Sequence, residues 1–116
     1  MVANTFGQKY LEEGDEVLLT ELEHHSNYVP WHFLRNSKKI KIEFAEINEA
    51  GEITIEAIKN KITNKTKIIS VTHLSNVTGA ILPIKEIVEL AHSKNIPVLV
   101  DGCQGAPHLK LDMQEL

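Results

Sequence analysis

Three apolar runs in this chain each close on a cluster of polar side chains, and no other feature restricts the fold as strongly. Val17-Leu18-Leu19-Thr20 leads into Glu23-His24-His25-Ser26-Asn27. Ile68-Ile69-Ser70-Val71-Thr72 leads into His73-Leu74-Ser75-Asn76-Val77-Thr78-Gly79, and Val98-Leu99-Val100-Asp101 into Gly102-Cys103-Gln104. Runs this short and this apolar suit buried strands. Segments of helical period separate them. Over 83–94, Pro83 opens a helix, Ile84, Ile87, Val88 and Ala91 recur at i, i+3, i+4 and i+7, and Asn95 stops it. Ile55, Ile58 and Ile62 mark a shorter amphipathic helix, and Tyr28, Val29, Trp31, His32 and Leu34 fall in a segment over 27–37. Pro30 is predicted in the first turn there, where a missing N–H does no harm. Residues 2–12 read as the end of a helix with Phe6, Tyr10 and Leu11 on one side, broken at Gly14-Asp15. Ile40, Ile42 and Phe44 alternate with charge as a half-exposed strand does, and a turn follows from Asn48 to Gly51. With strands at 16–20, 66–72 and 97–101 as well, the alternation predicts an α/β fold, a mostly parallel sheet with flanking helices. Ligands of such sheets bind beyond the carboxyl ends of the strands, so the three polar clusters are expected to share one rim.

Length and charge narrow the possibilities. A chain of 116 residues has room for one small domain, here 1–116. The net charge of −4 argues against a general nucleic-acid or anionic-membrane binder. Lysines do gather, at Lys38, Lys39 and Lys41 and again at Lys59, Lys61, Lys65 and Lys67, but Glu43, Glu46 and Glu56 interrupt them, as on a solvated face. No stretch approaches the roughly 18 apolar residues of a membrane span. One cysteine, Cys103, and no apolar leader segment favour a reducing, cytoplasmic setting.

Several chemistries are open to the polar clusters. Asp101 ends a buried run, and a carboxylate there is costly without a partner. It suits a cation, either a metal or a protonated ring nitrogen; it equally suits a turn cap, since Asp-Gly is a common turn pair. The magnesium-holding strand of P-loop NTPases ends similarly, but G-x-x-x-x-G-K-[ST] is absent from the sequence. A composite zinc site from His24, His73, Asp101 and Cys103 is conceivable if the strand ends converge, although H-E-x-x-H and C-x-x-C are both missing. His24 can also stack on a planar ligand or shuttle protons, or be an ordinary surface histidine. Asn76 can donate to a phenolate-type oxygen or close an Asx-turn. Gln104 follows Asp101 by three residues, so one turn can present both to one planar ligand. Cys103 reads as a small buried hydrophobe rather than a nucleophile.

Four segments carry a family resemblance: Gly14-Asp15-Glu16-Val17, Glu23-His24-His25-Ser26-Asn27-Tyr28-Val29-Pro30-Trp31, Thr72-His73-Leu74-Ser75-Asn76-Val77-Thr78-Gly79 and Val100-Asp101-Gly102-Cys103-Gln104. In order and spacing they resemble the large domain of pyridoxal 5'-phosphate (PLP) enzymes of the aminotransferase-like fold, specifically the cysteine desulfurase and selenocysteine lyase group. The resemblance implies that His24 stacks on the pyridine ring and assists proton transfer. It implies that Asp101 keeps the ring nitrogen protonated, and that Asn76 and Gln104 contact the phenolic oxygen. A carboxylate against that nitrogen favours its charged form, which draws electrons best. It implies conversion of L-cysteine, or L-selenocysteine, to L-alanine with sulfur left as an enzyme-bound persulfide. It also implies a homodimeric parent and a sulfur-acceptor protein, as in iron–sulfur cluster assembly.

The same resemblance implies a partial domain. The family's Schiff-base lysine lies in a Ser-Gly-His-Lys motif, which residues 1–116 do not contain. Its Thr-rich phosphate turn is expected before Met1, and its sulfur-accepting cysteine in a later, smaller domain. Cys103 stands where the family commonly has Ala. The expected chain is therefore inactive alone and binds PLP weakly. Another PLP lyase or an aminotransferase, or a non-catalytic interaction piece with exposed sheet edges, are the alternatives.

Overall fold

Val17, Leu18 and Leu19 are completely buried, so both faces of their strand must be covered. The computed structural model, which describes residues 1–112 and 114, shows how. Four parallel strands, β1 (Glu16–Thr20), β2 (Lys41–Ala45), β3 (Thr66–Thr72) and β4 (Val98–Asp101), lie in the order β2-β1-β3-β4. The helices are α1 (Gln8–Tyr10), preceded by a π-helical stretch Ala3–Gly7, then α2 (His25–Lys38), α3 (Ile55–Lys61), α4 (Ile84–His92) and α5 (Gly105–His108). The polar segment at 112–116 lies mostly outside the described residues.

Side chains of a strand alternate between its faces, and the two cores follow that alternation. Val17, Leu19 and Ile68 pack with Ala3, Leu11, Trp31, Leu34 and Ile40 on the side of α2 and the N-terminal helices. Leu18, Ile69 and Val71 pack with Ile58, Ile84, Ile87 and Ala91 on the side of α3 and α4. Leu11 joins the first core, but Tyr10 does not; it is 56% exposed and packs against Phe6, with Lys9 Nζ 5.1 Å from its ring centroid. The central strands β1 and β3 are covered on both faces and both edges. β4 has β3 on one edge only among the described residues, and its four residues are all half-buried.

The helix ends show their causes. Thr54 Oγ1 accepts from Ala57 N–H at the start of α3. Asn95 adopts φ +57°, and Ile96 N–H returns to Ala91 O, closing the C-terminus of α4. Pro30 is a correction to the sequence reading. Because His24 caps α2, the helix begins at His25 and Pro30 lies inside it rather than in the first turn. The bond forgone is the one to Ser26 O, on an exposed residue that water can reach.

Candidate functional site

The loops after β1, β3 and β4 meet at one rim of the sheet. His24 directly precedes α2 and is exposed. Its Nδ1 accepts from the backbone N–H of Ser26 at 3.2 Å, and Ser26 Oγ lies 2.9 Å from the same nitrogen. A backbone N–H only donates, so Nδ1 is the acceptor and the neutral ring carries its proton on Nε2. Histidine lies outside the usual capping set of Ser, Thr, Asp and Asn, which is why the sequence alone did not mark this helix start.

Of the two roles the sequence left open, Asp101 plays the turn cap. Its Oδ1 accepts from Cys103 N–H at 3.0 Å, capping the turn, and Oδ2 has no hydrogen bond among the described residues. Asn76 does not close the turn it sits in. Ser75 Oγ does so, accepting from Val77 N–H at 3.3 Å and Thr78 N–H at 3.2 Å. A bridge between Leu74 and Ile81 and the Ser75 N–H to Ala80 O bond of 2.9 Å tie the loop down. Gly79 permits the return with φ +74°. The exposed Asn76 carboxamide is thereby left without an intrachain bond among the described residues. Gln104 stands at the start of α5 and makes no side-chain cap.

His24, Asn76, Asp101 and Gln104 line one cleft of about 180 Å³ together with Ser26, Thr72, Leu74 and Cys103. A neighbouring cleft of about 350 Å³ shares Ser26, Asp101 and Cys103 and extends to Trp31 and Leu99. Among the described residues no lysine lines either cleft.

Two neighbours depart from expectation. Cys103 is exposed rather than buried, because the turn that Asp101 caps carries it to the cleft edge. A hydrogen bond to Asp101 and that group's negative charge push its thiol pKa up, which keeps it protonated and a poor nucleophile. His73 is buried and lines a different cleft with Ile84, Val88 and His92. The zinc alternative therefore does not assemble: among the described residues no group of three His, Cys, Asp or Glu is placed to hold a metal.

His73 also predicts a pH dependence. Burial lowers its pKa below the ordinary 6.5. The unfolded chain then takes up a proton first as the pH falls, so its contribution to stability is complete above 6.5 and is lost as the pH drops toward the folded-state value. Urea midpoints measured between pH 7.5 and 5 should fall with acid, and His73→Gln should flatten the fall. A slope unchanged by that substitution would show the acid sensitivity to lie elsewhere.

One participant was not singled out from sequence. Glu23 Oε1 accepts from Thr20 Oγ1 at 2.6 Å and from Thr72 N–H at 3.0 Å, while Oε2 accepts from Asn27 Nδ2 at 2.6 Å. Burial raises its pKa above the ordinary value, with nearby Asp101 adding to the rise and the three hydrogen bonds opposing it. The available signal was spacing: Thr20 and Asn27 stand three residues before and four after it.

Comparison with known families matches Aminotransferase class-V over residues 1–116. The chain belongs to the aminotransferase class-V family. Within that family it is 44% identical to a probable cysteine desulfurase of Halalkalibacterium halodurans, over 100% of this chain and 29% of that protein. Its fold matches the cysteine desulfurase CsdA of Escherichia coli with a TM-score of 0.94 at 32% identity, over 99% of this chain and 29% of CsdA. C-DES, solved with glycine covalently linked to its PLP cofactor, matches with a TM-score of 0.84 at 28% identity, over 92% of this chain and 29% of C-DES. This class-V chain thus spans less than a third of the length of the relatives it matches, and its parallel α/β architecture is theirs.

Proposed function

We propose that this chain forms the ring cradle of a PLP-dependent cysteine desulfurase. The observation that carries the reading is the meeting of His24, Asn76, Asp101 and Gln104, from three separate strand ends, in one cleft. The donor set fits PLP. A carboxylate with one free oxygen suits a protonated ring nitrogen, two uncommitted carboxamides suit a phenolic oxygen, and an exposed imidazole suits the face of a flat ring. The desulfurase relatives favour this activity over a different PLP lyase or an aminotransferase.

When bound, PLP supplies an electron sink for charge that develops on an amino-acid substrate. The chain's own residues do the rest of what happens at this rim. Asp101 Oδ2 holds a proton on the ring nitrogen by charge. Asn76 and Gln104 fix the ring's orientation from the side of its oxygen. His24 presents Nε2–H as a donor, and Nδ1 is the atom that takes up a further proton. When the imidazole takes up its second proton, Nδ1 turns from acceptor to donor, and Ser26 Oγ at 2.9 Å is in place to accept. In the longer protein this cradle would serve conversion of L-cysteine or L-selenocysteine to L-alanine, with the sulfur or selenium passed on to an acceptor.

Pyridoxine 5'-phosphate has the ring, the phenolic oxygen and the phosphate but no aldehyde, so it isolates the cradle. Titrated into the ¹⁵N-labelled chain, it should shift the amides of His24, Asn76 and Asp101 to Gln104 saturably, with a dissociation constant on the order of millimolar for a few polar contacts without a covalent link. Shifts that do not saturate, or that cluster away from this cleft, would overturn the reading. With no lysine in the cleft, PLP followed by borohydride should label no single lysine stoichiometrically.

A further inference from the structure

Glu23 does not itself line the cleft, yet it binds Thr72, which does, and groups on two of the elements around it. Its carboxylate collects the hydroxyl of Thr20 at the end of β1, the backbone N–H of Thr72 at the end of β3, and the carboxamide of Asn27 in the first turn of α2. Asn27 Oδ1 in turn accepts from the buried Ser70 Oγ at 2.6 Å, so β3 is gripped twice. His24 is the next residue after Glu23. Thr72 is the cross-strand partner of Asp101, and His73 N–H donates to Asp101 O at 3.0 Å. One side chain therefore links the β1–α2 corner that carries His24 to the strand pair that carries Asp101.

We propose that Glu23 is a positioning residue of the cradle, clamping β1, β3 and α2 so that His24 and Asp101 face the same cleft, and adding a second negative charge behind Asp101. The charge half deepens the cofactor reading and rests on it; the clamp does not. Three donors converge on the two oxygens, and an ionised carboxylate uses all three as an acceptor, whereas a protonated one would offer a donor to a set of donors. Asp101 is the charged group that bears on Glu23 across the rim. Two carboxylates so placed draw a cationic ring nitrogen more strongly than one, and each makes the other harder to ionise.

The test needs no cofactor, so its failure is distinct from failure of the cofactor reading. In the ¹³C-labelled chain the Glu23 carboxyl is followed by NMR from pH 3 to 9. Its midpoint should lie above the ordinary 4.5, and Asp101→Asn should change its proton-binding constant by about threefold, downward, as removal of a nearby like charge requires. A midpoint unmoved by Asp101→Asn would overturn the charge role. Hydrogen exchange at the Ser26 and Thr72 amides reads the clamp. Glu23→Ala should speed both by about tenfold or more. Glu23→Gln should restore slow exchange, because a flip of the Asn27 carboxamide lets Gln accept at one end and donate at the other while Ser70 Oγ accepts. Exchange unchanged in Glu23→Ala, or no rescue by Gln in a folded protein, would overturn the positioning role. If Glu23→Ala does not fold, the Glu23→Gln exchange and the titration in wild type and Asp101→Asn still decide the proposal.

Discussion

Asp101→Asn is expected to weaken binding of pyridoxine 5'-phosphate at neutral pH by about tenfold to a hundredfold, the loss of one charge-assisted hydrogen bond worth about 1.5–3 kcal/mol. The substitution is unusually clean. Asn keeps an oxygen at the position of Oδ1, so the cap on Cys103 N–H survives and the turn keeps its shape. What is lost is the negative charge on the oxygen that has no partner among the described residues. A neutral carboxamide no longer holds a proton on the ring nitrogen, and the ligand must bind as the less favourable neutral ring. The weakening should therefore be largest below the pH at which the free ring nitrogen loses its proton, where the ring is already charged and Asp101 is ionised, and should shrink above it. An internal control is available in Cys103. Asp101 raises its thiol pKa, so Asp101→Asn should speed alkylation of the exposed thiol by iodoacetamide. Faster alkylation with unchanged ligand affinity would mean that Asp101 acts on its turn and not on the ring.

Trp31→Ala is expected to cost about 3–5 kcal/mol, the usual range for deleting a buried aromatic side chain. Trp31 is 1% exposed and lies at the centre of the core between the N-terminal helices, α2 and β1. The packing there leaves little slack. A Cβ built on Gly7 would approach Leu34 Cδ2 to 2.5 Å and Trp31 Cζ3 to 3.1 Å, so the helical segment around Gly7 already rests on these side chains. Collapse to fill the space is blocked by the sheet below, and a cavity remains. Against a total stability of about 5–15 kcal/mol for a domain, this loss is a large fraction. Trp31 also lines the cleft next to Asp101, so the variant should open the cleft floor as well. Urea unfolding of both proteins checks the prediction; a change below about 1 kcal/mol, typical of exposed positions, would show that the core rearranges freely.

The two substitutions also separate what could be read from the chain itself from what could not. The strands and the helix Ile84–His92 were legible because burial imposes a period: continuous apolar runs for strands covered on both faces, and i, i+3, i+4, i+7 for one helix face. The polar clusters were legible as strand ends because parallel α/β sheets place such ends at one rim. Local chemistry was less readable. Helix α2 starts two residues before the predicted segment because a histidine caps it, and Pro30 moves inside the helix as a result. Ser75 rather than Asn76 closes its loop, a choice between two adjacent residues of similar capping ability.

Amino-acid order alone carried the parallel α/β architecture, since periodicity is a property of a chain read in one dimension, and the motifs whose resemblance to the cysteine desulfurase and selenocysteine lyase group implied a cradle of His24, Asn76, Asp101 and Gln104. Only the three-dimensional packing decided how those residues are used. It left Asp101 Oδ2 and the Asn76 carboxamide without partners among the described residues, turned His73 into a separate cleft, exposed Cys103, and joined Glu23 to groups from β1, α2 and β3. Hydrogen bonds and burial depend on distance in space, and residues 23 and 72 become neighbours only once the sheet has formed.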